Sequence, residues 1–232
     1  MRTPGLATAV ALILLAGHAT AARRQPPKLP TGAASADALV ARLRDLPLPL
    51  SSSSAVVAAK PSAPHSLPDL ELRRQRTYDA LHALGPAGVT ALARALRDPD
   101  PQMRRNVAVA LDVVGGGWWH FPDGRRGLDL RPALPALLAA LQDSDPGVRA
   151  WAAQDLSDMG ANAAAAVPPL RAMLRRPDPE SRGNACRALG KIGAAAAGVL
   201  PDLEHALGDS SPEVRQAARE AVARIERAEA LR

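Results

Sequence analysis

Aromatic side chains are nearly missing: the 232 residues hold three Trp, one Tyr and one Phe. A single cysteine, Cys186, excludes an internal disulfide and leaves no set of thiolates for a metal site. Lysine is scarce too, with only Lys28, Lys60 and Lys191 among 29 basic residues, so nearly all the positive charge is arginine. Strands draw on β-branched and aromatic side chains, whereas this chain is built from 50 Ala and 32 Leu, which lead the helix scale. A β-sandwich is therefore excluded and an all-α fold expected. The formal charge of +6 is spread along the chain rather than gathered in one stretch, which argues against a dedicated nucleic-acid surface.

The N-terminus reads as a targeting segment. Arg2 precedes an eleven-residue apolar run, Leu6 to Ala16, too short to cross a bilayer that needs about 20 helical residues. Ala19, Thr20 and Ala21 place small side chains where a signal peptidase requires them, so residues 1–21 are expected to be a signal peptide cleaved after Ala21. The protein is then exported, to the periplasm or outside the cell; the competing reading is an uncleaved membrane anchor. Residues 22–69 are rich in Pro, Ser and Ala and read as a tether. Within it, ADALVARLRDL over 36–46 carries Leu39, Leu43 and Leu46 at helical spacing, so one amphipathic helix is expected, able to dock on the repeats beyond the tether as an N-terminal cap.

From about residue 70 the sequence repeats. Pro101, Pro146, Pro179 and Pro212 open the same pattern at spacings of 45, 33 and 33 residues. An Arg lies three positions after each (Arg104, Arg149, Arg182, Arg215), a small or branched residue six after, and a hydrophobe ten and thirteen after, tracing one face of a helix. Gly115, Gly160 and Gly193 follow where such a helix should stop. Upstream, leucines lie five and nine positions before each proline (Leu96 and Leu92, Leu141 and Leu137, Leu174 and Leu170, Leu207 and Leu203), and in three copies Pro135, Pro168 or Pro201 opens that segment as a first-turn proline. Each unit is a helix, a tight turn and a second helix. Arg74, Leu81, Leu84 and Gly85 fit the second-helix template alone, giving a leading helix plus four helix pairs over 70–232. A pair of about 30 residues cannot bury its apolar stripe alone, so neighbouring copies must cover one another.

The segments DSDPGVRAWAAQDLSDMG, RPDPESRGNACRALGKIG and SPEVRQAAREAVARIE resemble HEAT repeats, of the short kind also found in phycobilisome lyases. The resemblance implies a right-handed α-solenoid of helical hairpins. It implies that Asp100, Asp145 and Asp178 with Arg104, Arg149 and Arg182 hold neighbouring repeats together, and that the second helices line a concave face. It also implies protein binding more than catalysis. The fourth copy departs from the pattern, with Ser211 before its proline and Asp209 close by.

The 45-residue spacing contains twelve extra residues inside the inserted loop 115–130: three glycines, then Trp118, Trp119, His120, Phe121 and, after Pro-Asp-Gly, Arg125 and Arg126. Trp and Arg are the residues of interaction hot spots, so this loop is the expected recognition element; the alternative is that Trp118 and Phe121 fold back between the first two units. A ridge at five, eight and twelve positions after each proline supplies a second surface: Asn106, Val109 and Val113; Trp151, Gln154 and Asp158; Asn184, Arg187 and Lys191; Ala217, Glu220 and Arg224. Trp151 is expected mid-groove, or else tucked beneath the preceding loop. No HExxH or GxSxG motif exists, the histidines lack metal-ligand spacing, and Cys186 occupies a small-residue position of the repeat. The sequence thus predicts an exported, non-enzymatic scaffold for a protein or peptide partner, with no catalytic residue, metal or cofactor. The alternatives are a bilin-lyase-like protein and a basic nucleic-acid-binding solenoid.

Overall fold

The chain divides into two units, Met1–Pro30 and Thr31–Arg232. The computed structural model describes residues 33–46, 68–117 and 126–231, all in the second unit. The expected signal peptide and most of the tether lie outside the described residues.

Regular structure among the described residues is entirely helical: α1 (Ala33–Arg42), α2 (Pro68–Ala83), α3 (Pro86–Ala95), α4 (Pro101–Gly115), α5 (Leu134–Ala140), α6 (Pro146–Met159), α7 (Val167–Met173), α8 (Pro179–Ile192), α9 (Leu200–Ala206) and α10 (Pro212–Ala230). Helices α3/α4, α5/α6, α7/α8 and α9/α10 are the four expected pairs, and α2 is the leading helix. The second helices α4, α6, α8 and α10 stack in succession, each also packed on its own first helix. The architecture is an α-solenoid.

Each second helix starts for the same local reason. Asp100, Asp145, Asp178 and Ser211 hold extended backbone, and their side chains accept from the N–H of Gln102, Val148, Ser181 and Val214. Proline follows at the first helical position, where no N–H is needed. Serine thus caps the fourth copy in place of aspartate. The stop differs in one copy from the expected position: Gly160 and Gly193 take φ of +53° and +75°, but in the first full unit Gly115 stays helical and Gly116 adopts φ +76°. The sequence also conceals two 3₁₀ segments, Gly160–Ala166 and Gly193–Val199, which lead into α7 and α9. Their small Ala side chains, Ala163, Ala166 and Ala196, are buried.

The leucines nine before each proline, Leu92, Leu137, Leu170 and Leu203, are all fully buried, as are Leu111, Leu156 and Leu189 ten after it. The leucines five before run from buried at Leu96 and Leu141 to exposed at Leu207. Helix α10 buries Val214, Ala218, Ala221 and Ile225, while Arg219, Glu220, Arg224 and Glu226 are exposed.

Arginine three after the proline joins neighbouring units. Arg104 donates from Nε and Nη2 to the two carboxylate oxygens of Asp143 at 2.7 and 2.8 Å, and Arg182 does the same to Asp209 at the same distances. The Nη1 of each also caps its own turn, on the carbonyls of Asp98 and Pro99 or of Arg176 and Pro177. The acceptor is therefore an Asp three before the next proline, a different position from the capping Asp that the resemblance implied. Arg176 stands at that position in the third unit, so Arg149 turns instead to Asp178 at 3.4 Å and to Ser181 Oγ at 3.3 Å.

Helix α1 docks as the N-terminal cap. It packs on α2 and α3, and the 3₁₀ turn Leu43–Asp45 that succeeds it packs on α4. Those are the neighbours that the first helix of a pair would have, so α1 and α2 together make a fifth unit. Ala36, Leu39, Val40, Leu43 and Leu46 are buried there. Arg44 pairs with Asp98 and Arg94 with Asp37, each at 2.6 Å, and the buried Asn106 Nδ2 donates to the Leu43 carbonyl at 2.7 Å.

Candidate functional site

The insert between the first two full units begins at a glycine crossing. Gly116 has the left-handed conformation, and a Cβ there would lie 2.8 Å from Gly127 Cα; a Cβ on Gly127 would lie 1.8 Å from the Gly115 carbonyl oxygen. Two backbones touch at this neck, which only glycine permits. Leu128 N–H donates to the Val114 carbonyl at 2.8 Å, and His82 Nε2 of α2 donates to the Arg126 carbonyl at 2.8 Å, tying the returning strand of chain to two helices. The glycines thus hold the insert's ends together. Trp118, Trp119, His120, Phe121 and Arg125 lie outside the described residues; Arg126 is exposed.

Beneath the neck, between the ends of α4 and α6, lies a recess of about 170 Å³. Asp112 and Asp155 are both almost fully buried in its wall, with Asp129, Asp158, Arg131 and Asn162 also lining it. Asp129 is held by Arg131 at 2.7 Å. Asp158 is held by Lys191 at 3.2 Å and accepts from Gln154 at 2.7 Å. Neither oxygen of Asp155 has a hydrogen-bond partner. Burial, then the nearby Asp112 and Asp158 carboxylates, push the Asp155 carboxyl well above the usual carboxylate range.

The ridge on the second helices divides in two. In the N-terminal half it is covered: Asn106, Val109 and Val113 are buried, Asn106 beneath the Leu43 turn. Trp151 is 4% exposed and belongs to the core, which corrects its expected place in an open groove. In the C-terminal half, Gln154, Arg187, Lys191, Glu220 and Arg224 line a shallow recess of about 140 Å³ across α6, α8 and α10. Asn184 is half-buried and accepts from Arg187 Nη2. Periodicity brings these residues to one face but does not reveal that the Leu43–Asp45 turn covers its N-terminal end at Asn106.

Cys186 is fully buried, and burial pushes its thiol up to about 11. That suits a packed small residue and opposes thiolate chemistry at neutral pH. Among the described residues no group of three or more His, Cys, Asp and Glu is placed to hold a metal ion, and no helix is long and apolar enough to cross a membrane.

Sequence reasoning missed the carboxylates three before three of the four prolines, although an alignment of the copies shows Asp98, Asp143 and Asp209 in register. It also missed Asp112 and Asp155. They sit eleven and nine after their prolines, so repeat periodicity carries no signal for the pair.

The fold defines a class, the α-solenoid of HEAT and armadillo type. Within it, residues 167–232 match the family model for HEAT repeats. The chain is similar in structure to the complex of CpcE and CpcF of phycocyanin lyase from Nostoc sp., with a TM-score of 0.56 and 18% identity, covering 82% of this chain and 99% of that one. It is similar also to a designed armadillo repeat protein in complex with the peptide (KR)4, with a TM-score of 0.55, 17% identity and coverage of 83% and 82%. A third similar structure is a computationally designed armadillo repeat protein for modular peptide recognition, with a TM-score of 0.53, 20% identity and coverage of 84% and 88%. No curated protein matches the chain.

Proposed function

We propose that this protein is an exported, non-enzymatic scaffold that binds a protein or peptide partner through the aromatic insert and the open C-terminal half of its second-helix face. The observation that carries this reading is the anchoring of the insert. A segment holding two Trp, a Phe and an Arg leaves and rejoins the solenoid through a glycine neck fastened to α2 and α4. Fastened ends reduce the ordering cost a recognition loop meets on binding, which is how a preformed surface gains affinity. The polar face of Gln154, Arg187, Lys191, Glu220 and Arg224 supplies a second, charged contact surface. Peptide binding by similar designed solenoids supports the partner class. The apolar run followed by Ala19-Thr20-Ala21 supports export.

Two photo-crosslinking positions test it, 119 in the insert and 187 on the second-helix face, with Glu204 on the exposed side of α9 as control. The expected outcome in the native host is one captured protein at 119, at 187 or at both, which then binds the purified chain. Capture at 204 alone would overturn the assignment of the surface. Retention of the full-length precursor in the cytoplasm would overturn export.

A further inference from the structure

We propose that the open recess across α6, α8 and α10 receives a side-chain carboxylate of the partner, so that the protein bound on this face presents an acidic segment. The inference deepens the proposed function and rests on it, because this recess lies in the uncovered half of the second-helix face.

Repeat position supplies the first argument. The sites eight and twelve after each proline read Val109 and Val113, Gln154 and Asp158, Arg187 and Lys191, then Glu220 and Arg224. In the covered half they are apolar and buried. In the open half they bring three exposed cations, Arg187, Lys191 and Arg224, to one recess.

The charges there do not cancel. Lys191 is answered by Asp158 at 3.2 Å. Glu220, the one carboxylate lining the recess, accepts from the neutral Gln216 at 2.9 Å. Arg187 donates to the neutral Asn184, and the Arg224 guanidinium has no ion pair or hydrogen bond with any described residue. Glu180, at the start of α8, makes no ion pair with Arg187 either; burial raises its carboxyl, and Arg187 offsets that only in part. Two guanidiniums and one carboxylate are thus left without an ion-pair partner, an excess of one positive charge. The formal charge of the whole chain, +6, has the same sign, so an acidic partner is attracted at long range as well as at contact.

Shape and chemistry choose the group. The floor is made of the buried Ser157, Gly190, Ala217 and Ala221, and the long charged side chains rise around it. At about 140 Å³ the recess falls below the roughly 300–1,000 Å³ of small-molecule pockets, so it admits the end of one side chain. A carboxylate matches a guanidinium through two parallel hydrogen bonds. Glu220 and Asp158 interrupt the cations, which suits carboxylates spaced along a polypeptide and opposes the unbroken charge of a nucleic-acid backbone.

The test is an amide-shift titration of the isotope-labelled chain at low salt with a peptide of alternating Glu and Ser, and in parallel with its Gln counterpart and with a single-stranded oligothymidylate of equal charge. The acidic peptide should shift signals confined to residues 154–158, 187–191 and 217–224, and the Gln peptide should not. Replacing both arginines, Arg187→Gln with Arg224→Gln, should weaken binding of the acidic peptide by about tenfold or more. Both side chains are exposed, and an unchanged spectrum elsewhere shows that the variant is folded. Equal shifts with the Gln peptide, shifts scattered over the surface, no shift at all, undiminished binding by the double variant, or oligothymidylate binding as tight as that of the peptide would each overturn the assignment. If the recess ignores the acidic peptide while crosslinkers at 119 or 187 still capture a partner, only this inference fails; if no partner is captured there either, the proposed function fails as well.

Discussion

At the scale of single residues, close approach decides more than side-chain chemistry. Gly190 sits where α8 crosses α10, and a Cβ added to it would lie 2.7 Å from Ala221 Cα and 3.0 Å from its Cβ. Neither atom can move without its helix. Gly190→Ala should therefore cost about 1–3 kcal/mol by overpacking, although Ala is the better helix former, and urea unfolding will show it. Asp155 carries the opposite kind of liability. Its carboxyl titrates above the ordinary range in the folded chain, so the native state binds the proton more tightly than the unfolded chain does. Stability is then lost as pH rises from the unfolded pKa, near 4, toward the folded one. Asp155→Asn removes that loss, so the variant should gain on the wild type as pH is raised from about 4 to 7. A difference that stays flat with pH would mean that Asp155 is ionised in the native protein.

Among elements, the seams between repeats are held by buried leucines and by arginine forks. The Arg182 guanidinium, hydrogen-bonded to Asp209, draws that carboxyl down to about 2. A depressed carboxylate contributes stability that is complete above its unfolded pKa, near 4, and disappears as pH falls through about 2. Asp209→Asn should thus lower the melting temperature at pH 6 and converge with the wild type near pH 2. Asp143, held by Arg104, lies below the usual range despite the upward push of burial, so the seam between α4 and α6 weakens in the same direction. The seam between α6 and α8 has a longer contact, Arg149 to Asp178, because Arg176 replaces the acidic acceptor.

Over the whole molecule, a solenoid is a chain of nearest-neighbour interfaces, and its ends are its weak points. The C-terminal end is covered by the charged outer face of α10. The N-terminal end depends on α1, a helix separated in sequence from the unit it completes. Removing residues 1–46 would uncover the surfaces of α2 and α3 beneath Leu39, Val40 and Leu43, and leave the buried Asn106 without its acceptor at Leu43. The shortened chain should melt several degrees lower, with hydrogen exchange rising first in α2 and α3 while α8 and α10 stay protected. Uniform loss of protection would show instead that the repeats unfold as one cooperative block.

The helix pair, its turn and four of its copies were legible in the sequence because each is encoded locally; that α1 completes a further unit with α2 was not. A capping Asp or Ser, a first-turn proline and leucines at helical spacing act within one unit, and four copies repeat the signal. The 3₁₀ segments were not legible, since Ala runs such as GAAAAGV favour helix as strongly as they permit this tighter turn. The candidate site was legible in part. Composition singles out the aromatic insert, but the burial of Trp151 and Asn106 and the meeting of Asp112 with Asp155 depend on which neighbouring element lies above each residue. Local propensity and periodicity therefore determine the module. Only the stacking of one module on the next decides which of its polar faces remain open to a partner.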